Sequence, residues 1–308
     1  MLSRIASLLI VLLLLAAWPA SVAEPGASLN LHARRRVETA PGSGVYRIAE
    51  DSQSWDPKKT AVVVCDMWDR HWCKGASGRV AEMAPRINDV VVAARRRGIL
   101  IIHAPSDTMK YYEGTPEREL ALKAPVAVPS VPLLKWCKLD PGREAPLPID
   151  DSDGGCDDVP QCKTETAWTR QIETIEIKPG DAVTDSAEAY FLLQVRGIEN
   201  VIVMGVHLNM CVLGRPFAIR QMLNQGKHVV LVRDLTDTMY NSRMRPYVSH
   251  FAGTDLMIEH VEKYLCPTIT SVDFGAAEPF RFSEDTRARP LPKTVPPSSN
   301  RSPASKPL

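Results

Sequence analysis

The stretch Val201-Ile202-Val203-Met204-Gly205-Val206-His207-Leu208-Asn209-Met210-Cys211-Val212 decides the fold class of this chain. It begins as an apolar, β-branched run, passes through a glycine and enters a helical pattern that continues to residue 224. A short continuous apolar run of this kind is typical of a buried parallel strand, and the helix that follows is its connection to the next strand.

The same arrangement recurs on both sides of this stretch. Further strands are predicted over 60–65, 99–103, 174–177, 228–232 and 268–274, and helices over 79–97, 184–196, 210–224 and 246–264. Repeated β-α-β spacing predicts a doubly wound, mostly parallel six-stranded sheet with helices on both faces, a Rossmann-type three-layer α/β fold. The sequence contains no dinucleotide fingerprint, P-loop or G-x-S-x-G elbow, so its chemistry is expected elsewhere at the strand ends.

Two of these strand ends carry reactive side chains. Asp66 directly follows the strand 60–65, and Cys211 stands where the strand 201–204 leads into a helix. A helix N-terminus lowers the pKa of a thiol, and its free N–H groups suit an oxyanion. If the strand order reverses between these strands, Asp66 meets Cys211 as its general base. The alternatives are an inert buried cysteine and a carboxylate that caps a loop.

Residues 196–212 resemble the cysteine signature of the isochorismatase-like cysteine hydrolases, which include nicotinamidases, N-carbamoyl amide hydrolases and isochorismatases. Residues 62–67 resemble the first strand of that superfamily with its catalytic aspartate. The resemblance covers about residues 58–275 without the insertion 105–172. It implies an Asp-Lys-Cys triad, in which Asp66 and Cys211 match well.

The lysine implied by the resemblance lies at the end of the third strand. Lys178 is the nearest candidate, although Pro179-Gly180 replaces the usual small and aromatic residues after it, and a solvated turn lysine is the alternative. Lys163 in the insertion is the fallback. One helical turn after Cys211 stands Arg215, which pairs either with a carboxylate or with an anionic substrate.

The resemblance also implies a cis peptide between Val206 and His207, which aims the N–H groups of His207 and Cys211 at the oxyanion. His207 and Trp68 are the predicted substrate contacts, with packing as the alternative for Trp68. The nicotinamidase branch has an Asp-x-His metal pair after the second strand, and residues 103–108 lack it. Nicotinamide is therefore not the first substrate expected. We predict no cofactor, with a divalent metal as the alternative.

Several features keep two interpretations at this stage. Asp69, His71 and His103 are either polar lining near the strand ends or a divalent metal site. Cys156 and Cys162 are six residues apart in a loop and are a disulfide candidate. The insertion 105–172 is either a lid over the carboxyl ends of the strands or a surface appendage.

The two ends of the chain differ in composition from the hydrolase domain predicted over 24–277. Residues 1–23 have the basic start, apolar run and small-x-small end of a signal peptide, with an uncleaved anchor as the alternative. Residues 278–308, rich in Pro, Ser and Arg, are predicted to be a disordered tail. The mature chain is thus expected to be exported, either periplasmic or secreted, without a stable membrane span.

The sequence predicts an exported cysteine hydrolase that cleaves a small amide or related C–N bond through a thioester on Cys211. A net charge of +1 argues against nucleic-acid binding by bulk charge. The resemblance implies a small-molecule substrate. Whether the chain forms a homo-oligomer is left open by the sequence. The alternatives are a non-catalytic relative that binds a ligand or partner, and an isochorismatase-type hydrolase of an ether.

Overall fold

The computed structural model describes residues 28–288, and eight strands of this part form one sheet. They are β1 (Leu29–Glu38), β2 (Tyr46–Trp55), β3 (Thr60–Cys65), β4 (Leu100–Ala104), β5 (Ala182–Val183), β6 (Asn200–Val206), β7 (His228–Asp237) and β8 (Thr268–Ile269). Their order is β2-β1-β8-β7-β6-β3-β4-β5. All pairings from β8 to β5 are parallel, and only β1 pairs antiparallel, with β2 and β8.

Helices cover both faces of this sheet. They are α1 (Lys74–Arg96), α2 (Pro116–Leu122), α3 (Glu188–Val195), α4 (Cys211–Gly214), α5 (Ile219–Asn224) and α6 (His250–Tyr264). The apolar side of α1 packs with one set of strand side chains, such as Val62 and Val64. The opposite set, such as Val63 and Cys65, packs against α3, α5 and α6. This alternation along β3 confirms the predicted α/β architecture with a mostly parallel sheet between two helical layers.

The prediction of six strands is wrong, because the sheet has eight. The additional hairpin of β1 and β2 alternates buried and exposed residues along β1, so it has no continuous apolar run that marks a central strand. The structure also moves the third parallel strand from residues 174–177 to Ala182–Val183. Ile175 is buried in a turn and contributes to the core without joining the sheet. Its carbonyl accepts the side-chain N–H of Gln171 at 3.0 Å, and not a hydrogen bond from a neighbouring strand.

Two predicted helices have different bounds. The pattern over 210–224 is divided into α4 and α5 because the chain at Arg215 is extended (φ −65°, ψ 157°) immediately before Pro216. The helix predicted from residue 79 begins earlier, at Lys74, because Gly75 and Gly78 conceal its first turn from a periodicity argument.

The beginning of the predicted disordered tail is packed against the body. The N–H of Phe280 donates to Asp234 at 2.8 Å, and Phe280 and Phe282 join the core on the α1 face. The apolar surface that these two rings remove from water favours this packing. The predicted signal peptide over 1–23 and the rest of the tail lie outside the described residues. Within residues 28–288, no helix is long and apolar enough to cross a membrane.

Candidate active site

Asp66 lies at the carboxyl end of β3, where the chain turns sharply out of the sheet. All six residues of β3 are buried, and Asp66 itself is fully buried with a left-handed backbone (φ 47°). Its N–H donates to the carbonyl of Ala104, and its Oδ1 accepts the N–H of Ser106 at 2.7 Å. These two bonds, to the last residue of β4 and to the chain just after it, hold the carboxylate at the edge of the sheet.

Cys211 approaches Asp66 because β3 and β6 are neighbouring parallel strands. Cys65 pairs with Gly205, whose φ is +112° and whose missing side chain leaves room for the carbonyl of Cys65. A Cβ at this position would stand 2.1 Å from that oxygen, so only glycine permits this contact. Five residues after Val206, Cys211 begins α4 and is 9% exposed as a residue, and its thiol interacts with the carboxylate of Asp66.

A guanidinium completes this group. The Nε of Arg215 lies 3.7 Å from Asp66 Oδ2, and its Nη2 lies 2.9 Å from Asp107. Its guanidinium carbon lies 5.8 Å from the centre of the Trp136 ring. Since α4 is a single turn, the extended backbone at Arg215 lets this side chain return to the carboxylate beside Cys211. Arg215 therefore pairs with a carboxylate, one of its two predicted roles.

Lys178 is not part of this group. Its Nζ lies 3.3 Å from Glu176, and half of its side chain is exposed. Because β5 begins at Ala182 and pairs with Ile102, the residues before it run along the amino end of β4, at the edge opposite Asp66. The assignment of a triad lysine to Lys178 followed from placing the third strand too early, and the residue at the carboxyl end of β5 is Thr184. Lys163 is exposed in the insertion.

The electrostatics of the site differ from the expectation for the thiol. Burial raises the pKa of Asp66 to about 6, although Arg215 and hydrogen bonds from Cys211 and Ser106 oppose the rise. Burial and then the charge of Asp66 raise the pKa of Cys211 well above its usual value, with Arg215 opposing. The predicted lowering by the helix N-terminus is wrong, because a four-residue helix has a small dipole and the thiol is buried. At neutral pH the resting site thus holds an ionised Asp66 and a protonated Cys211.

Two backbone N–H groups belong to the turn that leads from β6 into α4. The peptide between Val206 and His207 is cis, as the resemblance implies. In the described part of the chain, no protein acceptor receives the N–H of His207 or of Cys211. These two N–H groups are therefore available to an oxyanion that forms on a carbonyl attacked by the sulfur.

Aromatic rings form one wall next to these donors. Trp68 stacks on Trp168 with ring centroids 4.4 Å apart, and His71 stacks on Trp168 at 5.7 Å. The ring of His207 meets that of His71 at 5.0 Å, and its Nε2 has no hydrogen-bond partner among the described residues. Burial lowers the pKa of His71 to about 4 and that of His207 well below its usual value. The wall is thus uncharged at neutral pH.

The three metal candidates do not meet. Asp69 accepts the N–H and hydroxyl of Thr169 at 2.9 and 2.6 Å, which fastens the end of the insertion. His103 is buried between Gln171 and Asp181, 3.1 and 3.2 Å away. The Nδ1 of His71 accepts the N–H of Cys73. Asp69 and His103 therefore have structural partners, and His71 belongs to the aromatic wall.

The insertion 105–172 lies over the carboxyl edge of the sheet. Asp107 binds Arg215, Trp168 stacks on Trp68, and Asp151 accepts the side-chain N–H of Asn209 at 2.7 Å. Trp136 lies so close to Gly214 that a Cβ there would stand 2.6 Å from its ring. This coverage favours the lid interpretation of the insertion.

The predicted disulfide between Cys156 and Cys162 is not formed, because all seven cysteines are free. Both thiols donate instead to the carboxylate of Asp158, at 3.4 and 3.2 Å. The pairing prediction used only the spacing of two cysteines. Sequence reasoning therefore missed the third cysteine that the fold brings to the same carboxylate, Cys73.

Comparison with known proteins gives matches among solved structures. No family model and no curated protein matches the sequence. A cysteine hydrolase from Pseudomonas syringae pv. phaseolicola 1448A is similar at 16% identity and a TM-score of 0.43, over 71% of this chain and 91% of that one. An isochorismatase family protein from Burkholderia thailandensis matches at 15% identity and a TM-score of 0.40, over 70% and 93%. N-carbamoylsarcosine amidase from Thermoplasma acidophilum matches at 14% and 0.37, over 69% and 96%.

Proposed function

We propose that this chain is a cysteine hydrolase that cleaves a small amide or related C–N bond through a thioester on Cys211. One observation carries the proposal. A nearly buried thiol, a carboxylate with a pKa of about 6 and a guanidinium meet at adjacent strand ends, beside two unused N–H groups. Nucleophile, base and oxyanion donors are the parts that acyl transfer needs.

The proton inventory of this site supports a concerted attack. The Cys211 thiol gives its proton to Asp66 while the sulfur bonds to the carbonyl carbon, and the N–H groups of His207 and Cys211 hold the oxyanion. Asp66 then passes this proton to the leaving nitrogen as the C–N bond breaks. Water attacks the thioester, Asp66 takes one proton from it, and the departing sulfur regains a proton as the acid is released.

Arg215 supplies the positive charge that the resemblance assigns to a lysine. Its interaction with Asp66 and with Cys211 lowers the pKa of both groups. It therefore opposes burial and keeps Asp66 ionised and able to accept a proton near neutral pH.

A non-catalytic binding protein is the second candidate function. The observation in its favour is the raised pKa of Cys211, since a protonated buried thiol is a weak nucleophile without a working base. The two candidates differ in turnover and in covalent trapping, and one experiment separates them.

The experiment screens small amides and ureas with the wild type, with Cys211→Ala and with the control Cys266→Ala, which removes another buried thiol. We expect turnover by the wild type and the control, loss by a factor on the order of 10⁴ or more in Cys211→Ala, and an acyl adduct on Cys211 in quenched reactions. Ligand binding without turnover or adduct in the wild type would establish the binding protein instead. Comparable rates in Cys211→Ala would exclude the thioester.

The place of action is a proposal of its own. The composition of residues 1–23 supports export, followed by removal of this segment. N-terminal sequencing of the native protein is expected to begin at Glu24. A chain that still begins at Met1 and stays in the membrane fraction would contradict it.

A further inference from the structure

A second group of reactive side chains lies where the loop after Asp153 crosses the beginning of α1. We call Cys73, Cys156, Cys162 and Asp158 the cysteine cluster. The three sulfurs lie 3.4, 3.4 and 3.2 Å from the same oxygen, Asp158 Oδ2. The ligand atoms of Cys73, Cys156 and Asp158 all lie within 4.8 Å of one another, and the sulfur of Cys162 lies outside this group of three although it contacts the same oxygen. The proposed hydrolase chemistry uses none of these four residues.

These distances match those between ligands of one metal ion. In a tetrahedral zinc site with Zn–S near 2.3 Å and Zn–O near 2.0 Å, a sulfur and an oxygen are about 3.5 Å apart. The three observed S–O distances lie within a few tenths of an ångström of this value. Three thiolates with one carboxylate are a donor set that suits zinc, because soft sulfur ligands select it over magnesium and calcium.

The surroundings of the cysteine cluster suit a negatively charged metal site. Cys73 occupies the N-cap of the 23-residue helix α1, where the helix dipole favours negative charge. The N–H of Gly75 donates to Asp158 Oδ2 at 3.1 Å, which orients the carboxylate. Arg243 donates to the carbonyls of Asp157 and Asp158, and Arg79 forms an ion pair with Asp157 at 3.0 Å. Two cations thus flank the four acidic donors.

We propose that Cys73, Cys156, Cys162 and Asp158 bind one Zn²⁺ ion. With four protein ligands the site is closed to substrate, so its role is structural. The ion joins the start of α1 to the loop 156–162, two segments far apart in sequence. Because Trp72 precedes Cys73 and lies against His71, at 5.1 Å between ring centroids, the ion also fixes one end of the aromatic wall.

The test uses zinc alone on the full chain purified under reducing conditions. We expect about one tightly held zinc ion per chain by elemental analysis, and a higher Tm with zinc than after a strong chelator. Cys162→Ser changes the most exposed ligand, so this variant is expected to fold and to bind zinc on the order of 100-fold more weakly. Cys266→Ser, which removes a thiol elsewhere, is the matched control and keeps the ion.

Two measurements on the wild type keep the proposal independent of how the variants fold. Cobalt in place of zinc should give the thiolate charge-transfer and tetrahedral d–d bands of a sulfur-ligated site. If protein stripped of zinc shows no Tm shift when zinc is added back and no such bands when cobalt is added, the proposal is overturned. An intact mass that shows a disulfide among Cys73, Cys156 and Cys162 in the protein isolated from its native compartment would also overturn it. These results do not depend on turnover, so the hydrolase and the zinc site stand or fall separately.

Discussion

Asp66 and Asp237 end two parallel strands at the same edge of the sheet, and both are almost fully buried. Their pKa values are shifted in opposite directions from that of a free carboxyl group. Burial raises the pKa of Asp66 to about 6. Burial also opposes ionisation of Asp237, but the charges of His250 and Arg79 outweigh it and hold its pKa well below the usual range.

The difference follows from the donors at each carboxylate. Asp237 accepts from Arg79 Nε at 2.7 Å and from His250 Nε2 at 2.8 Å. Asp66 has a single N–H at hydrogen-bond distance, and its guanidinium stays 3.7 Å away. Close charged donors therefore decide which buried carboxylate is a fixed anion that ties α1 and α6 to the sheet, and which one exchanges a proton near neutral pH.

The largest expected effect is on activity in Asp66→Asn. The amide has the shape of the carboxylate but cannot accept the thiol proton, so we expect kcat/KM to fall on the order of 10³-fold. In the wild type, kcat/KM should decrease as pH falls through about 6, because protonation of Asp66 removes the base. Steady-state kinetics against pH measures both. An acid limb centred near pH 4, or activity close to wild type in the variant, would contradict the role of Asp66.

The same variant should be more stable than the wild type at pH 7. A carboxyl whose pKa rises from 3.8 to about 6 on folding destabilises the fold by up to about 3 kcal/mol above pH 6. This penalty disappears as pH falls toward 4, because the folded carboxyl is then already protonated and the unfolded one becomes so. Urea unfolding at pH 7 and pH 4 tests the sign. If the variant and the wild type have the same free energy of unfolding at pH 7 as well as at pH 4, the pKa of Asp66 is not raised.

Asp237→Asn is the matched change at the other carboxylate, and its effect is expected on stability. It leaves the buried Arg79 with Asp157 alone and removes the charge that raises the pKa of His250, so we expect a loss of about 3–5 kcal/mol at pH 7. Urea denaturation measures it. A stabilised Asp237→Asn would erase the contrast between the two carboxylates.

The strand end at Asp66 and the strand-to-helix passage at Cys211 were accessible from sequence for a physical reason. A buried parallel strand is a continuous apolar run, and the carboxyl ends of such strands share one edge. Periodicity therefore located both residues. It failed at Ala182–Val183, because two residues are too few for a pattern while the apolar stretch around Ile175 lies in a turn.

Arg215 and the cysteine cluster were beyond local patterns. The guanidinium reaches Asp66 because α4 ends after one turn, at the extended Arg215 before Pro216. The helical periodicity of residues 210–224 does not predict this break. Cys73 meets Cys156 and Cys162 because of the path that the insertion takes. A connection of that length has no periodic pattern from which its contacts could be predicted. Contacts made by long loops depend on tertiary packing, so the sequence did not predict that Arg215 meets Asp66 or that Cys73 joins Cys156 and Cys162.

Arg215→Met sharpens the comparison by removing the cation that lies 3.7 Å from Asp66. Because Arg215 lowers the pKa of Asp66, its loss should move the acid limb of kcat/KM to a higher pH and reduce the rate at pH 7 by about 10- to 100-fold. Arg215→Lys keeps a charge and should restore part of the rate. The pH profile distinguishes this electrostatic role from mere packing against Trp136, which would lower the rate without moving the limb.

Lys178→Ala should have the smallest effect, a change of kcat/KM of less than about twofold, because surface ion pairs contribute about 0–1 kcal/mol. The lysine pairs with Glu176 at the edge opposite Asp66, so neither the acid limb nor the thioester step involves its charge. Measured beside Arg215→Met under the same conditions, the pair of variants decides which cation serves the site. A large loss of kcat in Lys178→Ala with an unchanged Tm would return the triad to the lysine implied by the resemblance. It would also mean that Asp66 acquires its acidity from a residue that the fold places at the other end of the strands.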